Sequence, residues 1–87
     1  MPELTLYHRP GCHLCDDMRD ALLAAQAAHV FQWREVDIDD DADLLARYGA
    51  LIPVLCLDEQ EICHYFLNPM ALADALVATS ARASEVG

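Results

Sequence analysis

Lysine is absent from this chain, and its basic side chains are five arginines. Against these arginines stand 15 aspartates and glutamates, which give a formal net charge of −10 at pH 7. A surface of this charge repels phosphate backbones and anionic lipid headgroups. We therefore expect no nucleic-acid partner and no membrane partner. A protein partner that is neutral or basic would bind such a surface more readily than an acidic one.

Long apolar runs are also missing, because the hydrophobic residues come in short clusters that cannot cross a bilayer. The first three residues lead directly into an apolar strand-like stretch, without the basic and apolar regions of a secretory signal. We predict a cytoplasmic monomer whose thiols stay reduced. Its 87 residues suffice for one domain, which we place at 1–79, with a flexible C-terminal tail at 80–87.

Apolar periodicity and turn residues predict seven elements in the order β-α-β-α-β-β-α. Asp41 and Asn68 are the predicted N-caps of the second and third helices. The β-α-β start implies two parallel strands joined by a right-handed crossover, and the later hairpin adds antiparallel pairing. The predicted fold is therefore α/β, with a mixed four-stranded sheet flanked by helices. The predicted strands are 4–8, 31–38, 52–57 and 61–65, and the predicted helices are 13–28, 42–48 and 69–78.

The predicted hairpin contains two further cysteines, Cys56 and Cys63, which a turn centred on Glu59 and Gln60 would place opposite each other. Directly opposed Cβ atoms lie farther apart than a relaxed disulfide requires, so we expect two free thiols. The acidic run from Asp37 to Asp43 lacks the glycine and the terminal glutamate of a calcium loop. We interpret this run as solvated helix caps.

The stretch "LYHRPGCHLCDDM" places a Cys-x-x-Cys motif where the first strand meets the first helix. There Cys12 would face free backbone N–H groups at the positive end of the helix, which favours the thiolate. Cys15 lies one turn later on the same face, close enough to form a disulfide but more shielded. The motif therefore predicts that Cys12 attacks a disulfide and Cys15 resolves the adduct.

Charged side chains near these thiols would both stabilise and destabilise a Cys12 thiolate. Arg9 and a protonated His13 would stabilise a Cys12 thiolate, whereas Asp16 and Asp17 would oppose it. Two other interpretations of the motif are a pair of small buried hydrophobic residues and a zinc site. The chain lacks the second Cys-x-x-Cys or the His-x-x-x-His that a zinc site of this type needs, so we predict no metal site.

Four segments of the chain resemble the thioredoxin fold, and specifically the short glutaredoxin-like branch found in bacteria. The segments are "LTLYHRPGCHLC", "WREVDID", "RYG" and "IPVL". The resemblance implies a cis peptide bond before Pro53, beside the active-site thiols, and a role for Ile52 in offering backbone groups to an extended substrate. Together with the flanking Arg9 and His13, these two residues form the predicted substrate-binding set.

Two departures from the family bear on cofactor use. Glutaredoxins that use glutathione usually have a Gly-Gly turn before the last helix, where this chain has "CHYFLNPMAL". The dipeptide between the active-site cysteines is His-Leu, which matches neither the Pro-Tyr of typical glutaredoxins nor the Gly-Pro of thioredoxins. The first departure leads us to expect no bound cofactor and poor use of glutathione, and the second means that neither family supplies the redox potential.

The resemblance and the motif together predict a dithiol thiol–disulfide oxidoreductase that reduces a protein or low-molecular-weight disulfide. One alternative is a non-catalytic thioredoxin-fold module that binds peptides at the groove beside Pro53. A second alternative is an iron–sulfur or metal carrier that uses Cys12. The presence of Cys15 favours catalysis, since a binding module does not need a second thiol.

Overall fold

A computed structural model describes the backbone of residues 2–86 and the side chains of residues 2–78. The predicted order of elements and the predicted α/β fold class are confirmed, with a short 3-10 helix added after the second strand. The strands are β1 Glu3–His8, β2 Gln32–Asp37, β3 Val54–Leu57 and β4 Gln60–His64. The α-helices are α1 His13–Ala25, α2 Ala42–Tyr48 and α3 Pro69–Val86, and the 3-10 helix is Ile38–Asp40.

The strand ends differ from the prediction by at most two residues, and two helix ends differ by more. The helix α1 ends at Ala25, three residues before the predicted end, and α3 has the bounds Pro69–Val86 where the sequence predicted an end near residue 78. The predicted flexible tail, 80–87, falls on side chains outside the described residues, so the domain boundary at residue 79 stays a prediction. In the described part of the chain, no helix has the length and apolar character needed to cross a membrane.

The sheet has the strand order β2-β1-β3-β4. Strand β1 pairs in parallel with β2 and antiparallel with β3, and β3 pairs antiparallel with β4. The crossover through α1 thus joins the two parallel strands, as the β-α-β start of the sequence predicts. Because β1 is central, its end leads directly into the Cys-x-x-Cys motif from the middle of the sheet.

The register of the hairpin corrects the predicted position of its cysteines. A two-residue turn places Leu57 opposite Gln60, so Cys56 pairs with Glu61, and an irregularity then shifts the register so that Cys63 pairs with Leu55. Cys63, as the cross-strand partner of Leu55, lies on the same face of the sheet as Leu55. Cys56 is the next residue after Leu55 in β3 and therefore points to the opposite face. Cys56 and Cys63 are free thiols and are not opposed.

The main core lies between one face of the sheet and the helices α1 and α3. Leu4 and Leu6 of β1 alternate with the opposite-facing Thr5 and Tyr7, as expected for a strand with a buried apolar face. On the other side of the sheet, the ring of Tyr48 at the end of α2 stacks on the ring of Tyr7, with centroids 4.7 Å apart. The buried cluster of the first face comprises Leu4, Leu6, Met18, Leu22, Phe31, Leu55, Leu57, Cys63, Leu72 and Leu76.

Two adjacent leucines of α1 allow a matched test of this core. The side chain of Leu22 is 0% exposed and that of Leu23 is 56% exposed. We expect Leu22→Ala to lower the free energy of unfolding by about 2–5 kcal/mol, because it leaves a cavity in the cluster. Leu23→Ala should change that free energy by less than about 0.5 kcal/mol. Urea unfolding of both variants measures the difference, and equal losses would contradict the packing described.

Candidate active site

The first thiol of the motif caps helix α1. Gly11 turns the chain with a φ of 76°, and Cys12 follows in an extended conformation at the N-cap position. The backbone N–H of Cys15 donates a hydrogen bond to the Cys12 sulfur over 3.1 Å. This sulfur occupies the place where a serine or aspartate oxygen usually accepts the same bond. Cys12 is half-buried, so its sulfur combines a backbone donor with access to solvent.

The second thiol lies inside the first turn of the helix and is shielded. Cys15 is 1% exposed. The pKa of its thiol is raised to about 12, mainly by burial and in smaller part by the Cys12 side chain. The backbone of Arg9 and the charge of Arg19 act in the opposite direction. Near neutral pH, therefore, Cys15 is a protonated thiol held next to a more accessible sulfur.

The charged neighbours of the motif are mostly paired with one another. The guanidinium of Arg9 contacts the Asp39 carboxylate with Nε and Oδ1 2.7 Å apart. Asp16, which the sequence suggested would oppose a thiolate, accepts a hydrogen bond from Arg19 over 2.7 Å, and Arg19 also contacts Glu35 on β2. These ion pairs are exposed or half-buried, so each contributes little stability, but they reduce the net charge that acts on Cys12.

The structure places the predicted substrate-binding residues in two loops. His13 is exposed at the first position of α1, and Arg9 is partly exposed just before the turn. Ile52 and Pro53 lie between α2 and β3, the Ile52–Pro53 peptide bond is cis, and the side chain of Pro53 is buried.

Strand pairing brings these loops to the same end of the sheet. Tyr7 on β1 pairs with Val54 on β3, and Val54 in turn pairs with His64 on β4. The chain that follows Tyr7 leads to the Cys-x-x-Cys motif, and the residue before Val54 is Pro53. Since β1 and β3 are antiparallel, the last residues of β1 and the first residues of β3 lie at the same end of the sheet. The loop that follows β1 and the loop that precedes β3 are therefore neighbours, and the loop that follows β4 lies beside them.

Sequence reasoning missed Tyr65, the first residue of this third loop. Its backbone N–H donates to the Pro53 carbonyl oxygen over 2.9 Å, and its hydroxyl donates to the Ala50 carbonyl oxygen over 2.7 Å. Tyr65 has a φ of 65°, which glycine adopts freely and tyrosine rarely does. The signal in the sequence was the stretch "CHYFLNPMAL", where the resemblance to glutaredoxins implied a Gly-Gly turn.

The remaining polar candidates have local roles. The carboxylate of Asp37 accepts from the Asp39 N–H in the 3-10 helix, and that of Asp41 accepts from two N–H groups at the start of α2, which confirms the interpretation of the acidic run as caps. His64 contacts Glu61 over 3.1 Å. Among residues 2–78, whose side chains are described, no group of three or more histidine, cysteine, aspartate or glutamate side chains could hold a metal ion.

A half-exposed N-capping thiol with a buried thiol one turn behind it, on a mixed four-stranded sheet, defines a protein of the thioredoxin-like class. The chain belongs to the glutaredoxin-like domain family (DUF836), which matches residues 3–77.

The fold is similar to those of several solved structures, including the following two. The solution NMR structure of protein Ne2328 from Nitrosomonas europaea has a TM-score of 0.79 and 35% sequence identity, over 87% of this chain and 93% of that one. The X-ray structure of protein XcR50 from X. campestris has a TM-score of 0.66 and 41% identity, over 86% of this chain and 96% of that one. No curated protein matches the chain.

Proposed function

We propose that the protein is a thiol–disulfide oxidoreductase in which Cys12 is the nucleophile and Cys15 the resolving thiol. The observation that carries the proposal is the hydrogen bond from the Cys15 N–H to the Cys12 sulfur, at the N-cap of α1. A backbone donor at the positive end of a helix stabilises a sulfur anion, which is the attacking species in exchange. Cys15, buried one turn away, supplies the second thiol that a dithiol mechanism requires.

The reaction consists of two exchanges. The Cys12 thiolate attacks one sulfur of the substrate disulfide, the substrate S–S bond breaks, and the leaving sulfur takes the electron pair and then a proton from solvent. Cys15 then loses its proton to solvent and attacks the Cys12 sulfur. The mixed disulfide bond breaks, the Cys12–Cys15 disulfide forms, and the second substrate sulfur leaves with the electron pair and takes up a proton from solvent. The two electrons that reduce the substrate come from this pair of thiols, and a separate thiol or protein reductant must restore them.

The interaction between the two sulfurs supports this order of events. The Cys12 side chain is one of the causes that raise the pKa of Cys15. Once Cys12 is bound in a mixed disulfide it carries no negative charge, so this obstacle to Cys15 ionisation is removed. The mixed disulfide thus makes Cys15 easier to ionise when resolution is needed, while burial continues to raise its pKa.

We further propose that the disulfide substrate contacts Arg9, His13, Ile52 and Pro53. Their placement at one end of the sheet, around the approach to Cys12, supports this set. A substrate that is neutral or basic fits the net charge of −10. We also propose that the protein acts on a protein disulfide as a monomer in the reducing cytoplasm, where free cysteines are the usual state.

Single-turnover oxidation tests the proposed activity. The reduced protein is mixed with the neutral disulfide bis(2-hydroxyethyl) disulfide, and the mass of the intact chain is followed. We expect a loss of about two hydrogen masses and two released thiols per chain, with peptide mapping that joins Cys12 to Cys15. A chain that keeps its mass and releases no thiol would refute the proposal and favour a peptide-binding module. A brown, iron-containing preparation would favour the cluster carrier.

Glutathione is expected to be a poor electron donor. The turn that would receive the tripeptide carries Tyr65 and Phe66, and the surface repels an anionic ligand. In an assay coupled to glutathione and its reductase, turnover should therefore stay near the uncatalysed rate. The control is the same assay with dithiothreitol, an uncharged dithiol, as donor. Rapid glutathione-dependent turnover would contradict this expectation.

A further inference from the structure

Loop 50–53, which joins the end of α2 to the start of β3, carries two of the four proposed substrate contacts. The Leu51 N–H of this loop donates a hydrogen bond to the carbonyl oxygen of Tyr48, at the end of α2, over 2.8 Å. The position of Ile52 relative to the thiols then depends on the contacts that other elements make with the two ends of the loop. An extended substrate binds well only if these backbone groups are already in place.

Tyr65 makes such a connection at both ends of the loop. The bond from its N–H to the Pro53 carbonyl fixes the end next to β3, and the bond from its hydroxyl to the Ala50 carbonyl fixes the end next to α2. The first bond uses backbone atoms that most residues could supply at this position. The second bond needs a side chain long enough to span the loop and to present a hydroxyl donor.

The backbone conformation of Tyr65 agrees with a role for its side chain. A φ of 65° suits glycine at a turn, and a tyrosine there is disfavoured by contacts of its Cβ. The ring packs edge-on against the His64 imidazole, with centroids 4.8 Å apart, and the side chain is 39% exposed. The residue thus occupies an unfavourable backbone conformation in which its hydroxyl reaches across to the neighbouring loop.

We propose that Tyr65 is a positioning residue, which clamps loop 50–53 through Ala50 and Pro53 and thereby sets the affinity for the disulfide substrate. This inference rests on the proposed oxidoreductase function and assigns Tyr65 no contact with the reacting sulfurs. Loss of the hydroxyl should affect substrate binding while leaving the chemistry of Cys12 and Cys15 unchanged. The side chain of Tyr65 thereby connects two loops.

The test compares Tyr65→Phe with Tyr7→Phe, which removes a phenolic hydroxyl from the sheet while keeping the ring that stacks on Tyr48. For Tyr65→Phe we expect KM for a protein disulfide to rise about two- to tenfold, the range that loss of one neutral hydrogen bond produces, with kcat unchanged. Hydrogen exchange at the Leu51 amide should accelerate by a similar factor. Tyr7→Phe should change neither value. Tyr65→Gly relieves the backbone but lacks the hydroxyl, so it should show at least the same rise in KM.

The outcomes separate this inference from the function on which it rests. A wild-type protein that reduces no disulfide would refute the proposed function. An active wild type whose Tyr65→Phe variant keeps KM, or loses kcat at constant KM, would overturn the positioning role alone. Unchanged exchange at Leu51 in that variant would also overturn it, because the clamp would then not hold the loop.

Discussion

Cys12→Ser should eliminate disulfide exchange, reducing turnover to the uncatalysed rate, because a serine hydroxyl does not ionise near neutral pH and cannot replace the sulfur in a disulfide. Cys15→Ser should behave differently. It keeps the N-capping sulfur and the backbone N–H that donates to it. This variant should therefore attack a disulfide once and then stall as a stable mixed disulfide on Cys12. Intact mass after mixing with a disulfide measures both results.

The matched control is Cys56→Ser, which makes the same chemical change on β3, at a side chain that contacts the Tyr48 hydroxyl instead of α1. Its single-turnover oxidation should match that of the wild type. Retained reductase activity in Cys12→Ser would show that the nucleophile is misassigned. An adduct on Cys15 in that variant would mean that the two thiols exchange roles.

The four cysteines should also differ widely in their rate of alkylation by iodoacetamide. At pH 8 a thiol whose pKa is about 12 is ionised in about one molecule in ten thousand, so Cys15 should react very slowly in the folded protein. Burial also raises the pKa of Cys56 and that of Cys63. We expect Cys12 to react at least about a hundredfold faster than the other three, since it is partly exposed where they are buried and its sulfur accepts from a backbone donor.

The pH dependence of alkylation has a defined direction. The Cys15 rate should be low at neutral pH, rise about tenfold with each pH unit and level off only near pH 12, because the rate follows the thiolate fraction. Quenched samples digested and analysed by mass spectrometry give the four rates. Protein unfolded in guanidinium chloride is the control, in which all four should react at similar rates. Similar rates in the folded protein would contradict the described burial.

The sequence by itself determined the features that depend on near neighbours in the chain. The order of elements followed from local periodicity and turn residues, and the N-caps followed from residue type and spacing. Asn68, for example, accepts a hydrogen bond from the Ala71 N–H over 3.1 Å at the start of α3, as predicted. The position of Cys12 at the start of α1 was predictable for the same reason, since a helix N-terminus and its cap lie within four residues of each other.

Only the tertiary structure decided which distant groups meet. A two-residue turn and one irregularity in the hairpin set a register that separates Cys56 from Cys63, and a shift of one residue reverses the face of every side chain that follows. The partner of Arg9 is Asp39, thirty positions away along the chain, and the clamp of Tyr65 on Ala50 spans two loops. The raised pKa of Cys15 likewise depends on how the fold excludes water. Such contacts depend on how strands pair and helices pack, which local sequence patterns do not encode.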